Sequence, residues 1–297
     1  MIGSGSCVRL RQLAVPGWVT TFSLSAMAIL FVLPPPAAAQ SADELAKQTQ
    51  NPIASLISVP FQGNWDFGLG ARDATGSTLN FQPVIPFAIN PSFNIVLRVI
   101  MPLTSQPAPG WDAAADTPGT VASQPAANGA QRYSGLGDVL TTAFFSPSHP
   151  GRIIWGVGPA LLLPTATNPA LGGEKFAVGP SVVVLTQPGK WTLGLLGNQL
   201  WSTSGAKDRA SVNQIYLQPF ANYNLGGGLA VGASMEVSGN WKAQEQWNAP
   251  LLFSISKVTL LGKQPVQFAV AAGPTVVNPS EGASWRFRLA ATFLFPR

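Results

Sequence analysis

Residues 285–295 read WRFRLAATFLF, and every odd-numbered position among them is apolar. The even-numbered positions include Arg286, Arg288 and Thr292. Because successive side chains of a β-strand point to opposite faces, this alternation predicts a strand with one apolar face and one polar face. Residues 229–240 and 247–256 repeat the pattern, so the prediction does not depend on a single segment.

The same period of two continues through most of the chain, in segments of about ten residues separated by glycine, proline and asparagine. We expect about twelve strands, an even number, as in barrels whose two termini lie on the same side of the membrane. The predicted strands lie near residues 57–69, 78–89, 93–102, 135–146, 153–164, 176–187, 191–202, 212–224, 229–240, 246–258, 265–276 and 285–295.

The composition indicates a membrane protein that does not cross the bilayer with helices. Charged residues make up 10% of the chain and hydrophobic residues 46%, whereas about 25% charged residues is usual in soluble domains. Beyond the N-terminus, apolar runs are shorter than the roughly 20 residues that a transmembrane helix needs. The sequence therefore predicts an all-β fold, an antiparallel transmembrane β-barrel of about twelve strands in contact with the lipid of a Gram-negative outer membrane.

The connections between the predicted strands alternate in length. Short turns fall at residues 90–92 and 226–228, whereas longer polar loops fall at residues 103–134 and 165–175. Outer-membrane barrels have short periplasmic turns and longer extracellular loops. This parity predicts that both chain termini are periplasmic and that the long loops face outward.

Aromatic residues and prolines add two further expectations. Aromatic side chains at strand ends, such as Trp191 and Trp285, are typical of interfacial girdles, although ordinary core aromatics remain the alternative. Proline removes a donor from the hydrogen-bonded ladder, so we predict bulges or breaks where it falls within a strand on the lipid-facing register. These prolines are Pro83, Pro159, Pro180, Pro219 and Pro274.

The N-terminal region predicts a signal peptide over residues 1–39, with Arg9 and Arg11 ahead of an apolar stretch and small residues before Gln40. An uncleaved anchor helix is the alternative. Residues 40–56 are predicted as a periplasmic or plug segment with a short helix, because Ser41 and Glu44 have the spacing of a capping box. The barrel domain is predicted over residues 57–297. The only cysteine, Cys7, lies within the predicted signal peptide.

Several stretches resemble the outer-membrane protein family of the meta-pathway of phenol degradation, some members of which carry the misleading label neuromedin U. This resemblance implies a barrel with a transport role and supplies no catalytic residues. The C-terminal strand also resembles the signal recognised by the barrel assembly machinery, with Arg288, Ala290, Phe293 and Phe295, although the chain ends in Pro296-Arg297. The matching stretches are residues 50–56, 81–87, 135–138, 155–159, 163–167, 217–220 and 293–296.

The same register predicts which polar side chains line the lumen. Charged groups at membrane depth belong in the barrel interior, where they can pair or meet water. Two interpretations remain open for these residues: an ion-pair network that braces the barrel, or a pore lining that selects solute. The candidate lumen-lining residues are Arg98, Asp138, Gln214, Gln218, Glu236, Arg286 and Arg288.

Other chemistry finds little support in the sequence. The only histidine, His149, lies in a predicted turn, so neither a Ser-His nucleophile nor a metal site is predicted, and no cofactor is expected. Asp112 and Asp116 are interpreted as residues of a hydrated loop. Basic residues are scattered, which argues against nucleic-acid binding.

The leading hypothesis is a passive channel for a small solute, aromatic or otherwise poorly permeant. A closed structural or surface-interaction barrel is the second hypothesis, an outer-membrane enzyme is the third, and the oligomeric state stays open.

Overall fold

The computed structural model describes residues 41–70, 73–107, 132–242, 247–279 and 282–296, which are predominantly antiparallel sheet. One short helix precedes the strands. The elements are α1 Ala42–Thr49, β1 Ile57–Leu69, β2 Ala74–Phe81, β3 Val84–Asn90, β4 Phe93–Pro107, β5 Arg132–Leu136, β6 Val139–Pro147, β7 Ile153–Leu163, a 3₁₀ turn Pro169–Leu171, β8 Lys175–Thr186, β9 Trp191–Gly205, β10 Asn213–Gly226, β11 Leu229–Met235, β12 Val237–Asn240, β13 Trp247–Leu261, β14 Gln264–Val277 and β15 Trp285–Phe295.

The sheet closes on itself. β1 pairs with β15 over eleven residues, from Ile57 opposite Phe295 to Phe67 opposite Trp285, and β9 pairs with β10 to complete the ring. Within the described ranges there are fifteen strand segments, but β2–β3, β5–β6 and β11–β12 are each one interrupted strand. The result is a closed antiparallel barrel of twelve strands, which confirms the predicted fold class.

The outer wall of the barrel is apolar. In β13, Phe253 and Ile255 are 59% and 50% exposed, whereas Ser254 and Ser256 alternate with them on the inner face. Large exposed apolar side chains occur likewise on β1, β4, β7, β9 and β15. Such a continuous apolar wall is unfavourable in water and suits hydrocarbon, and closure leaves no unpaired edge within it. The chain is therefore a transmembrane β-barrel of the outer-membrane type, as predicted.

Among the residues that the structure describes, no helix has the length and apolar composition needed to cross a bilayer.

Prolines interrupt the ladders, as predicted. The β6–β7 ladder skips two residue pairs beside Pro159, the β8–β9 ladder skips two beside Pro180, and the β13–β14 ladder skips two beside Pro274. Pro83 lies between β2 and β3, and Pro219 lies opposite the gap between β11 and β12. The predicted strands at 78–89 and 229–240 are therefore each divided in two, and the predicted strand at 135–146 is divided at Gly137 and Asp138.

At three of these breaks, glycine precedes the proline. A Cβ atom on Gly158, Gly179 or Gly273 would overlap a carbonyl oxygen of the neighbouring strand. Only glycine therefore permits the two backbones to approach this closely. At each of these breaks the proline lacks a hydrogen-bond donor and the glycine lacks a side chain.

The predicted loop at residues 103–134 is shorter than expected. β4 continues to Pro107 and β5 begins at Arg132, because Leu103–Pro107 and Arg132–Leu136 pair with each other as a hairpin extension. Asp112 and Asp116 lie outside the described residues, as do the predicted signal peptide and its cleavage site.

The barrel interior is divided into an apolar half and a polar half, which corrects the expectation that inward side chains are generally polar. Strands β4 and β6–β10 contribute two buried apolar clusters to the interior, which include Val96, Phe144 and Leu162. Barrels of small strand number have interiors narrow enough to be filled by side chains. In this chain apolar packing fills one side, and polar groups lie on the other.

Helix α1 has the predicted capping box, in which the Ser41 hydroxyl accepts from the Glu44 N–H and the Glu44 carboxylate accepts from the Ser41 N–H. The helix docks at the end of the barrel that carries the short turns. Leu45 and Ala46 pack with Leu294 in a buried cluster. Side-chain hydrogen bonds add to this contact, so the helix is held by both apolar and polar interactions.

Candidate functional site

Five of the seven predicted lumen residues line one cavity in the polar half of the interior. This inner cavity has a volume of about 50 Å³. Strands β1, β2, β4, β10 and β15 contribute its wall, together with Glu236 at the interruption between β11 and β12. The five predicted residues that line it are Arg98, Gln218, Glu236, Arg286 and Arg288.

An ion-pair network crosses this cavity. Arg286 Nε lies 2.6 Å from Asp66 Oδ1, and its Nη1 lies 2.9 Å from Glu236 Oε2. Arg288 donates to both oxygens of Glu236, at 2.7 and 2.9 Å, and its Nε donates to Asn64 Oδ1 at 2.6 Å. Bidentate pairing of this kind is among the strongest charge-assisted geometries.

The strand pairing explains how these groups meet. Asn64 lies directly opposite Arg288 and Asp66 directly opposite Arg286 in the β1–β15 ladder. Glu236 comes from a different part of the wall, because β13 and β14 separate its strand from β15. It occupies the gap that Pro219 creates between β11 and β12, so its backbone is released from the β10 ladder. The network thus connects two separate regions of the wall through the interior.

Burial makes this network costly to break. The Arg286 side chain is 3% exposed and the Glu236 side chain 9% exposed. Removing one partner of such a pair leaves an uncompensated charge in a medium of low dielectric constant. Removing one member of the network is therefore expected to destabilise the barrel, whether or not solute passes beside it.

Arg98 differs from the other two arginines. Its Nη2 donates to Gln82 Oε1 at 2.9 Å, and no carboxylate of the described residues forms a salt bridge with it. Three arginines and two carboxylates, Asp66 and Glu236, therefore meet at the inner cavity. This leaves one formal positive charge, carried by Arg98.

A second cavity adjoins the first on the side of helix α1. This middle cavity has a volume of about 160 Å³ and shares Gln82, Arg98 and Gln218 with the inner cavity. Residues of the N-terminal segment, including Thr49 and Leu56, form its opposite wall. It therefore lies between the ion-pair network and the docked helix.

A third cavity, of about 400 Å³, lies at the barrel end with the short turns. It shares Gln48 and Leu56 with the middle cavity and is lined by the turn residues Pro91 and His149. The three cavities form a row from the short turns to the ion-pair network. The segment at residues 48–56 borders the two cavities nearest the short turns.

The other two predicted residues do not line these cavities. Asp138 is fully buried in the interruption between β5 and β6, where it accepts hydrogen bonds from the N–H groups of Ala166 and Gly173 at 3.1 and 2.7 Å. It thereby anchors the connection between β7 and β8. Gln214 is buried on β10, and its Oε1 has no partner among the described residues.

Asn64, Asp66 and Tyr216 are among the residues that the structure places at the inner cavity and the prediction omitted. A signal for the first two was present, because Gln62, Asn64 and Asp66 alternate with apolar residues in β1. Tyr216 had no such signal, since an aromatic residue fits either face of a strand.

The absence of a metal site and of a cofactor stays a prediction from the sequence. Over the described ranges, no group of three or more histidine, cysteine, aspartate or glutamate residues is placed to hold a metal ion.

No family model matches the sequence, and no curated protein matches it. Solved structures do match. The crystal structure of an outer-membrane channel from Pseudomonas putida F1 has a TM-score of 0.57 and 16% identity, and the alignment covers 81% of this chain and 94% of that one. This likeness shows the fold.

Two further structures are more distant. A FadL homologue of Pseudomonas aeruginosa has 11% identity and a TM-score of 0.41, with coverage of 82% of this chain and 92% of that one. The toluene transporter TodX of Pseudomonas putida has 8% identity and a TM-score of 0.40, with coverage of 84% and 93%. These two TM-scores are too low to support a conclusion about this chain. The resemblance to the phenol meta-pathway family stays a prediction.

Proposed function

We propose that this protein is a passive outer-membrane channel for a small solute. The observation that carries the proposal is the row of three adjoining cavities inside a closed transmembrane barrel. A barrel with a purely structural role, whose interior is filled by side chains, would not require a row of cavities. The similar structure from Pseudomonas putida F1, which is described as a channel, supports the same proposal.

The ion-pair network is the constriction in this proposal. The smallest cavity of the row lies at this network, where Glu236 joins Arg286 and Arg288. The buried apolar clusters occupy the other half of the interior, so a solute with an apolar part meets apolar side chains along its route. This division supports a solute that is aromatic or otherwise poorly permeant.

A closed barrel with a structural or surface-interaction role is the second candidate. The buried network and the apolar clusters favour it, because both fill the interior with side chains. Its outer loops would then be the functional part. We place the enzyme hypothesis below both, because the only histidine, His149, is exposed in a turn outside the ion-pair network.

Single-channel recording separates the two candidates. We expect the purified, folded protein to give discrete conductance steps in planar bilayers. A sample whose folding is verified by its heat-dependent migration on a gel, but which stays silent, would contradict the channel proposal and support a closed barrel.

The proposed biogenesis of the barrel uses the barrel assembly machinery, which would recognise the C-terminal strand β15. This strand ends in the apolar Phe293 and Phe295 and pairs with β1 to close the barrel. Lipid contact follows from the apolar outer wall.

A further inference from the structure

Arg98 is the one arginine of the inner cavity whose charge the described residues do not balance. Arg286 and Arg288 each form ion pairs with buried carboxylates, whereas Arg98 donates a hydrogen bond to the amide oxygen of Gln82 and is attracted by Glu236 only beyond ion-pair distance. A guanidinium has five N–H donors, and one neutral acceptor uses only one of them. The remaining donors lie where Arg98 borders the two interior cavities.

An unbalanced charge inside a barrel is costly unless an anion meets it. The free energy of burying an ionised group is several kcal/mol after relaxation of the protein. In membrane proteins, charged side chains at membrane depth occur mainly where these side chains serve a solute or ion pathway. The position of Arg98, between the ion-pair network and the middle cavity, therefore points to a ligand that carries the missing negative charge.

The middle cavity offers two kinds of surface to such a ligand. Gln82, which is bonded to Arg98, and Gln218, which comes from β10 on a different part of the wall, supply amide groups. Val84 and Leu196 belong to the buried apolar cluster and supply an apolar surface. The cavity volume of about 160 Å³ is close to that of an engineered cavity of about 150 Å³ that binds benzene.

We propose that the middle cavity is a binding subsite for a small organic monocarboxylate, with the carboxylate on Arg98 and an apolar body of about benzene size against Val84 and Leu196. The unbalanced guanidinium beside a cavity of mixed lining carries the proposal. This subsite deepens the proposed channel function by naming the solute class, and its transport role rests on that function.

The charge of Arg98 and the mixed lining of the middle cavity narrow the class of ligand. The excess at the inner cavity is one positive charge, so a monoanion neutralises it and a dianion reverses it. A neutral hydrocarbon fits the apolar wall but leaves Arg98 unpaired. A small inorganic anion satisfies Arg98 but leaves the apolar surface unused.

Binding is tested first, independently of conductance. The full-length protein in detergent micelles is titrated calorimetrically with benzoate, and with benzyl alcohol as a neutral ligand of similar shape. We expect benzoate to bind at least about tenfold more tightly than benzyl alcohol, because a hydrogen-bonded charge pair contributes about 1.5–3 kcal/mol. Equal affinities, or no benzoate binding, would overturn the subsite.

Two variants locate the binding. Arg98→Gln should abolish the preference for benzoate, whereas Arg152→Gln, which changes an exposed arginine beyond the end of β6, should retain it. Leu196→Ala keeps the charge and should weaken benzoate more than acetate, which provides a second measurement if Arg98→Gln fails to fold. An unchanged benzoate preference in folded Arg98→Gln would also overturn the proposal.

Planar-bilayer recordings then separate this proposal from the channel function. Benzoate should reduce the single-channel current of the unmodified protein and leave that of Arg98→Gln unchanged. Binding without any conductance would retain the subsite and contradict the channel. Conductance that benzoate does not affect, in a protein that also fails to bind it, would retain the channel and contradict the subsite.

Discussion

At the scale of single residues, the charge pairs of the inner cavity are costly to break by removing one partner. We expect Glu236→Gln to lower the free energy of unfolding by about 3 kcal/mol, because it leaves Arg286 and Arg288 without their shared carboxylate. Urea-induced unfolding in detergent, followed by circular dichroism, measures the change. Glu174→Gln is the control, since Glu174 is 42% exposed and Arg209 keeps the carbonyl groups of Pro169 and Gly172 as acceptors, so stability should change by less than about 1 kcal/mol. Equal effects of the two substitutions would refute the bracing role.

A second prediction concerns the glycine at a strand break. Gly158→Ala should destabilise the barrel by about 1–3 kcal/mol or more, because the added methyl group overlaps the Ala143 carbonyl. Gly151→Ala is the control, since a Cβ at Gly151 meets nothing within 4 Å. The fraction of folded protein after heating, read from gel migration, compares the two. A Gly158→Ala barrel as heat-resistant as the control would show that the backbones separate at little cost.

Residue-level reasoning from the sequence identified the inward charges but not their partners. The period of two assigns Arg286, Arg288 and Glu236 to the inner face, because a face depends only on position within a strand. Which charges meet depends on the relative register of strands that are distant in sequence. Asp66 and Arg286 are 220 residues apart, and no local pattern predicts that separation.

At the scale of elements, helix α1 lies at the end of the barrel with the short turns, and its last residues border the middle cavity. We therefore expect the helix to limit the passage of solute between this cavity and that end of the barrel. Its Asp43 carboxylate accepts from the Gly228 N–H at 2.6 Å, and its Thr49 hydroxyl accepts from Gln267 at 2.7 Å. Deleting residues 42–49 should therefore raise the single-channel conductance, because Gln48 and Thr49 no longer border the cavity. Planar-bilayer recording measures the change.

Ser41→Ala gives a graded version of the same experiment. It removes the helix cap at a cost of about 1 kcal/mol and leaves the docking contacts unchanged. Brief openings should become more frequent without a change in the main conductance level. An unchanged conductance after the deletion would mean that solute bypasses the helix.

The elements were predicted more accurately than the connections between them. Strand β1 and strand β15 have the predicted bounds, because apolar alternation and flanking turn residues coincide there. The interruption at Pro83 followed from proline chemistry. The interruption at Glu236 had no signal within its own segment, because the prolines beside it, Pro219 and Pro250, lie on the two neighbouring strands.

At the scale of the whole molecule, the orientation in the membrane is a prediction from loop length. Lys207 lies in the connection between β9 and β10, and Lys190 lies in the short turn between β8 and β9, at the opposite end of the barrel. Both side chains are exposed. In intact cells, a membrane-impermeant maleimide should label Lys207→Cys and leave Lys190→Cys unlabelled.

Permeabilised cells provide the control, because both cysteines should then react. The natural Cys7 lies in the predicted signal peptide and should not contribute to labelling. Labelling of Lys190→Cys alone in intact cells would reverse the orientation.

The contacts of helix α1 have a consequence for the order of folding. The helix is the first described element of the chain, yet most of its partners belong to the last third of the sequence, among them Gly228, Val258, Gln267 and Leu294. These partners surround one site only after β15 has paired with β1. The N-terminal helix can therefore reach its docked position only after the rest of the chain has been synthesised and inserted. A docked helix thus indicates that the barrel has closed.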